Sequence, residues 1–275
     1  MKDESTRDVV AGLRSSEPGE RLRALGRLMA APRPLHGDLV DAVLACLWSE
    51  TKAERRGAVE VLHVAGAAQL SDIVARLQAA CQGGDPGQRW GAAYALGSIG
   101  VLSPTLVTPL IEALAQRDGD QRWAAARLTV ACGRMHPDVV VPALLAALAD
   151  AGSELRKMIL YVLRDLRPGR LDQIVPVFLR SLSDPERGVR LAALSAVCGL
   201  DPPPRETLDR VLRMIRDDPD LGVRRAAMSG LGIIGRGVGA ARDAVEQALG
   251  SPDEGLRRAA EHARRRLAFG AVSGG

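Results

Sequence analysis

The stretch Asp184-Pro185-Glu186-Arg187-Gly188-Val189-Arg190-Leu191-Ala192-Ala193-Leu194 returns 34 residues later as Asp218-Pro219-Asp220-Leu221-Gly222-Val223-Arg224-Arg225-Ala226-Ala227-Met228. Working outward from this pair, the same arginine recurs at Arg21, Arg55, Arg89, Arg122, Arg156, Arg190, Arg224 and Arg257, at intervals of 33 or 34 residues. A fixed period of that size marks one supersecondary unit stacked on copies of itself, each too small to bury its own apolar face.

The residues around each arginine define the unit. Eight positions upstream stands an apolar residue in seven copies, as in Leu148 and Leu182. Apolar pairs at helical spacing lie further back, as in Ile174/Val175 with Phe178/Leu179. Downstream, Ala92, Ala95, Leu96 and Ile99, or Ala193, Ala196, Val197 and Leu200, form the seam of a second amphipathic helix. Each unit therefore reads as helix A, a short turn and helix B. Asp85-Pro86, Asp184-Pro185, Asp218-Pro219 and Ser251-Pro252 place a capping side chain ahead of a proline suited to a first helical turn. Pro109, Pro142 and Pro176 form a second column early in helix A, where proline costs least.

Together with Gln88-Arg-Trp-Gly-Ala-Ala-Tyr-Ala-Leu-Gly-Ser-Ile-Gly, these phrases resemble HEAT repeats of the short bacterial kind, called phycobilisome-lyase HEAT-like. The resemblance spans roughly residues 5 to 268. It implies an all-α, right-handed α-solenoid of about eight helical hairpins over residues 1–269, with 270–275 a flexible tail. The expected repeats fall near 5–33, 37–67, 70–101, 104–134, 137–168, 171–201, 205–237 and 240–269. The fold leaves function open, because such repeats serve as scaffolds, lyases, hydroxylases and DNA glycosylases.

Apolar residues make up 47% of the 275, yet aromatics only 3%, so the core is aliphatic and alanine-rich. No run of 18 apolar residues exists, and the first residues lack the apolar stretch of a signal peptide. A cytoplasmic protein with no membrane partner is expected. Ala31-Pro-Arg-Pro-Leu-His-Gly, Asp201-Pro-Pro-Pro-Arg and Gly235-Arg-Gly-Val-Gly mark expected junctions between repeats.

No motif for chemistry emerges. The four cysteines, Cys46, Cys81, Cys132 and Cys198, have no CxxC spacing and read as buried, reduced thiols. The paired His-Glu motifs of HEAT-type hydroxylases are missing, as are zinc spacings and phosphate-binding loops. No catalytic residue, metal or cofactor is expected, and the chain leans away from enzymes. The arginine column reads as structural. Six positions before the arginine stands Ser15, Ser49, Asp150, Asp184, Asp218 or Ser251, with only Gly83 and Gln116 breaking the pattern. An acceptor there suits a hydrogen-bond ladder between stacked turns, as the HEAT resemblance also implies.

One stripe of helix B departs from the bland pattern. Counting one, five and eight positions past the arginine gives the expected concave face: Arg56, Glu60, His63; Trp90, Tyr94, Gly97; Trp123, Arg127, Val130; Lys157, Tyr161, Arg164. Two of the three tryptophans and both tyrosines fall there. Trp90, Tyr94, Trp123 and Tyr161 with Arg56, Arg127, Lys157 and Arg164 form the candidate partner-binding set, because Trp, Tyr and Arg dominate binding hot spots. The favoured function is a non-enzymatic scaffold for an acidic protein or peptide. Nucleic-acid binding, as in HEAT-like alkylpurine DNA glycosylases, ranks second because aromatics and cations suit bases and phosphates. The net charge of +4 argues against it. A bilin-lyase-like chaperone ranks third, on fold analogy.

Overall fold

A computed structural model describes residues 6–35, 37–64, 67–166 and 171–269. The expected tail 270–275 and His36 lie outside them. The described residues are all-α, of the α-solenoid class, and form no strand. Contacts divide the chain into two compact units, Met1–Ala147 and Leu148–Gly275.

The first unit contains α1 (Thr6–Leu13), α2 (Pro18–Ala30), α3 (Asp38–Leu47), α4 (Lys52–Val64), α5 (Ala67–Gly83), α6 (Pro86–Ser98), a 3-10 turn at Pro104–Leu106, α7 (Val107–Leu114), α8 (Gly119–Met135) and α9 (Pro137–Ala147). The odd helices are the A type and the even ones the B type. Leu47, Leu62, Leu96, Leu110 and Ala125 are buried between the two layers. The B helices α2, α4, α6 and α8 pack on one another in order. Small residues set their spacing: a Cβ on Gly91 would collide with the Leu47 carbonyl and come 2.8 Å from the Trp48 ring, so α6 rides against the end of α3.

The second unit contains α10 (Ser153–Leu166), α11 (Leu171–Ser181), α12 (Arg187–Cys198), α13 (Arg205–Asp217), α14 (Leu221–Ile234), α15 (Gly239–Leu249) and α16 (Glu254–Phe269). Its core is again mostly aliphatic, with Ile159, Leu163, Ala193, Val197 and Leu231 nearly inaccessible beside the one aromatic, Phe178. Gly235-Arg-Gly-Val-Gly joins α14 to α15, and Gly237 adopts a left-handed φ of 75° that disfavours any side chain. Of the residues expected in the seam, Ala92, Ala95, Leu96, Ala193, Ala196 and Val197 are buried, while Ile99 and Leu200 at its end are half-buried. Leu128 is half-buried and lies over Gly97, where an added Cβ would sit 2.6 Å from its methyl.

The capping expectation needs correction at three of four turns. Asp85 does cap α6, closing a reciprocal box with Gln88. At the other three turns the helix starts later. Asp184 accepts from the N–H of Glu186, Asp218 from that of Asp220, and Ser251 from that of Asp253. The caps of α14 and α16 are Asp220 and Asp253, two residues further on. Set back from the helix start, Asp184 and Asp218 are free to take a second partner.

That partner is the arginine column. Each arginine first closes its own hairpin by donating to backbone carbonyls at the end of helix A: Arg21 to Ser15, Arg55 to Ser49, Arg122 to Gln116, Arg190 to Asp184 and Arg257 to Ser251. The acceptor six residues back is thus the main chain, which explains why glutamine is tolerated at 116. The outer edge of the guanidinium then reaches into the next repeat. Arg156 holds Asp184 with two bonds of 2.9 Å, and Arg190 holds Asp218 with bonds of 2.8 and 2.9 Å. In the first unit Glu54 replaces the aspartate for Arg21, and Glu112 does so for Arg89. At these four steps the ladder runs between repeats, with a carboxylate supplied by whichever neighbour carries one.

Candidate functional site

The first unit contains a cavity of about 250 Å³ among α4, α6 and α8. Its walls come from the first two to three turns of these helices; beyond it, Gly97 near the end of α6 meets Leu128 of α8. Arg56 enters from α4, Trp90 and Tyr94 from α6, and Trp123 and Arg127 from α8. Five of the eight residues expected from the sequence therefore share one cavity.

Their exposures differ from expectation. Trp123 is half-exposed, at 50%, and Arg56 and Arg127 reach solvent. Trp90 is only 6% exposed, which corrects its expected place on an open ridge. It packs against Tyr94 with ring centroids 5.5 Å apart and planes tilted by 36°. Its indole N–H is buried with no acceptor, an uncommon state for a polar group. Gly97 and Val130, the positions eight past their arginines, are correspondingly turned toward packing: Gly97 lies beneath Leu128 and Val130 is buried. His63 sets its ring nitrogens 3.0 Å from the Val59 carbonyl and 3.2 Å from that of Ser98.

Sequence reasoning missed Lys52, Arg55 and Asp120. Lys52 and Asp120 form an exposed ion pair across the cavity mouth, from α4 to α8. The Lys52 ammonium, by hydrogen bond and by charge, holds the Asp120 carboxyl below its ordinary range. Arg55 is only 8% exposed and also lines the cavity. Desolvation lowers its pKa, opposed by the charges of Asp118 and Glu50. The signal was present: Lys52 lies four residues before Arg56 and Asp120 three before Trp123, so the stripe extends one turn toward the helix starts. Arg55, Arg56 and Arg127 make no ion pair among the described residues.

Comparison with known proteins finds a family match over part of the chain. The family of HEAT repeats matches residues 175–264. That segment, from α11 into α16, is similar to HEAT repeats. No curated protein matches it by sequence. Among solved structures, the Escherichia coli protein YibA superposes with a TM-score of 0.61 at 16% identity, over 96% of this chain and 93% of that one. The karyopherin Kap121p, bound to the extreme C-terminus of the protein phosphatase Cdc14p, gives 0.63 at 14% identity over 95% of this chain. Importin beta gives 0.61 at 14% identity over 96% of it. The chain spans 33% of the Kap121p chain and 42% of importin beta. At these identities the likeness is one of fold.

The remaining three expected residues lie together on α10, in the second unit. There the cations are already neutralised: Lys157 by Glu154 at 2.7 Å, and Arg164 by Asp165 at 2.8 Å. Arg164 also donates to Ser195 and lies 5.1 Å from the centre of the Tyr161 ring. The four cysteines are reduced and buried. Burial raises the pKa of Cys46 and Cys81 to about 11, that of Cys198 to about 12, and that of Cys132 as well. Among the described residues no three of His, Cys, Asp and Glu gather as a metal site, and no helix is long and apolar enough to cross a membrane.

Proposed function

We propose that this HEAT-repeat chain is a non-enzymatic interaction scaffold whose first unit binds an acidic segment of a protein partner. The observation that carries this reading is the charge state of the cavity. Arg55, Arg56 and Arg127 face it without ion pairs, while Lys52–Asp120 is the one pair at its mouth among the described residues. A volume of about 250 Å³ suits a side-chain anchor better than a cofactor, since small-molecule sites run from about 300 to 1,000 Å³. Half-exposed Trp123 supplies rigid apolar area beside the cations, the usual composition of an interface anchor. Kap121p, similar in fold, binds a protein terminus, which supports a segment as the occupant. Asp120 opposes an acidic ligand and competes with it for Lys52.

Affinity capture from cell lysate tests the reading, comparing wild type with Trp123→Ala/Arg127→Ala and with Asp120→Asn. Protein partners should be retained by wild type, lost by the double variant and held more tightly by Asp120→Asn. A nucleic-acid binder would instead lose affinity for oligonucleotides steeply with salt, in proportion to the phosphates it neutralises. Tight oligonucleotide binding of that kind, abolished by Trp123→Ala, would replace the protein-partner reading.

A further inference from the structure

The arginine ladder has a gap, and the gap opens into the cavity. The carboxylates of Arg156 and Arg190 stand 28 residues further on, at Asp184 and Asp218. The residue 28 past Arg55 is Gly83, the last of α5, which has no side chain to offer. No substitute takes its place, in contrast to Glu54 and Glu112 at other steps. The hydrogen bond of the Arg55 side chain is Nη1 to the Ser49 carbonyl at 2.6 Å. Asp118, the carboxylate that acts most strongly on it, is engaged by the N–H groups of Asp120 and Gln121.

Arg55 is nonetheless as buried as Arg190, which grips Asp218 with two bonds. A desolvated guanidinium without a counter-ion is costly, and such groups are ordinarily paired. A buried donor without an acceptor among the described residues, the Trp90 indole N–H, lies in the wall of the same cavity.

We propose that the cavity is a carboxylate site, in which an aspartate or glutamate side chain of the partner supplies the counter-ion that the ladder lacks at Arg55. This rests on the partner-binding reading and names the group bound. The incoming carboxylate takes the Nε–Nη2 edge of Arg55, the edge Asp184 and Asp218 take elsewhere, with Arg56 and Arg127 drawing it in. The partner thereby completes an internal motif of the fold.

Gly83 offers a direct test, because a Cβ built there meets nothing within 4 Å. Gly83→Asp places a carboxylate at the vacant ladder position. Gly83→Asn matches its size, and Gln82→Glu adds the same charge one residue away. The probe is a capped hexapeptide of glutamate, with hexaglutamine and inorganic phosphate as comparisons. Binding is followed by tryptophan fluorescence and by the ¹⁵N–Hε resonance of Arg55. Wild type, Gly83→Asn and Gln82→Glu should bind hexaglutamate. Gly83→Asp should bind it about tenfold or more weakly, the loss expected when a charge-assisted hydrogen bond is denied. The Arg55 Nε–H signal of peptide-free Gly83→Asp should move toward that of peptide-bound wild type. Should Gly83→Asp fail to fold, movement of the wild-type Arg55 signal on peptide addition decides alone. Equal binding by Gly83→Asp, an Arg55 signal unmoved by peptide, or tighter binding of phosphate than of peptide overturns the proposal. If Trp123→Ala/Arg127→Ala weakens the peptide and Gly83→Asp does not, the groove still binds acidic segments and only the role of Arg55 fails. If hexaglutamate binds no better than hexaglutamine, both readings fail.

Discussion

Arg190 in the second unit and Arg55 in the first occupy equivalent positions, are each 8% exposed, and each donate to the carbonyl six residues back. They differ in one partner. Arg190 meets Asp218, whose side chain is itself almost inaccessible, whereas Arg55 faces a cavity. Burial and position in the repeat therefore do not define the role of a ladder arginine. A guanidinium matched inside the fold is structural, and the same group left unmatched is the one proposed to take a partner's carboxylate. The wider contrast between the units follows the same line. Lys157 and Arg164 on α10 are neutralised by their own neighbours, while Arg56 and Arg127 are not.

The comparison can be broken at several places, the largest effect first. Leu163→Asp buries an unpaired charge at a position 1% exposed. It should destabilise the second unit by more than about 4 kcal/mol, seen as lost helical signal or a collapsed denaturation midpoint. Trp90→Ala should cost about 3–5 kcal/mol, since the ring is a core residue as well as a wall of the cavity. A purely surface role for Trp90 would leave the midpoint unchanged.

The pair Arg190→Gln and Arg55→Gln sharpens the contrast most directly. The first strands the buried carboxylate of Asp218, at about 3 kcal/mol or more. The second strands none and removes one bond to a carbonyl, at about 1 kcal/mol. Chemical denaturation of the two variants should separate them by that margin, and equal losses would mean that the ladder carboxylates carry no stability.

Two smaller effects concern pH. The Asp253 carboxyl, held by Arg225 and by the N–H of Leu256, titrates at about 2, below its unfolded value. Its contribution is present above the unfolded pKa and lost as pH falls through about 2. The melting temperature of Asp253→Asn should thus differ from wild type at pH 6 and converge on it in acid. The four thiols titrate above their unfolded value, so native protein should label slowly at neutral pH and completely after denaturation. The stability they lend is full below the unfolded thiol pKa and lost as pH rises toward about 11 and 12. Rapid labelling of two or more native thiols would contradict their burial.

Much of the fold was legible because the relevant signals are local. The spacing of Ala92, Ala95 and Leu96 is set by the pitch of one helix, and Cys81 stands where other repeats carry leucine. The site was legible in part. Trp123, Arg127 and Arg56 were found because a stripe on one helix can be counted from a fixed arginine. Trp90 was misjudged because its cover comes from neighbouring helices. Lys52 and Asp120 were overlooked because their pairing spans 68 residues.

By itself the sequence determined the alternation of A and B helices, the aliphatic core, the arginine column and the buried thiols. Each follows from a period of 3.6 or of 34 residues read along the chain. The tertiary structure alone decided which carboxylates Arg21, Arg89, Arg156 and Arg190 meet, which five of the eight expected binding residues share a cavity, and that Arg55 forms no ion pair among the described residues. Those outcomes depend on how closely successive repeats approach, and a few ångströms between helices separate an ion pair from an open site.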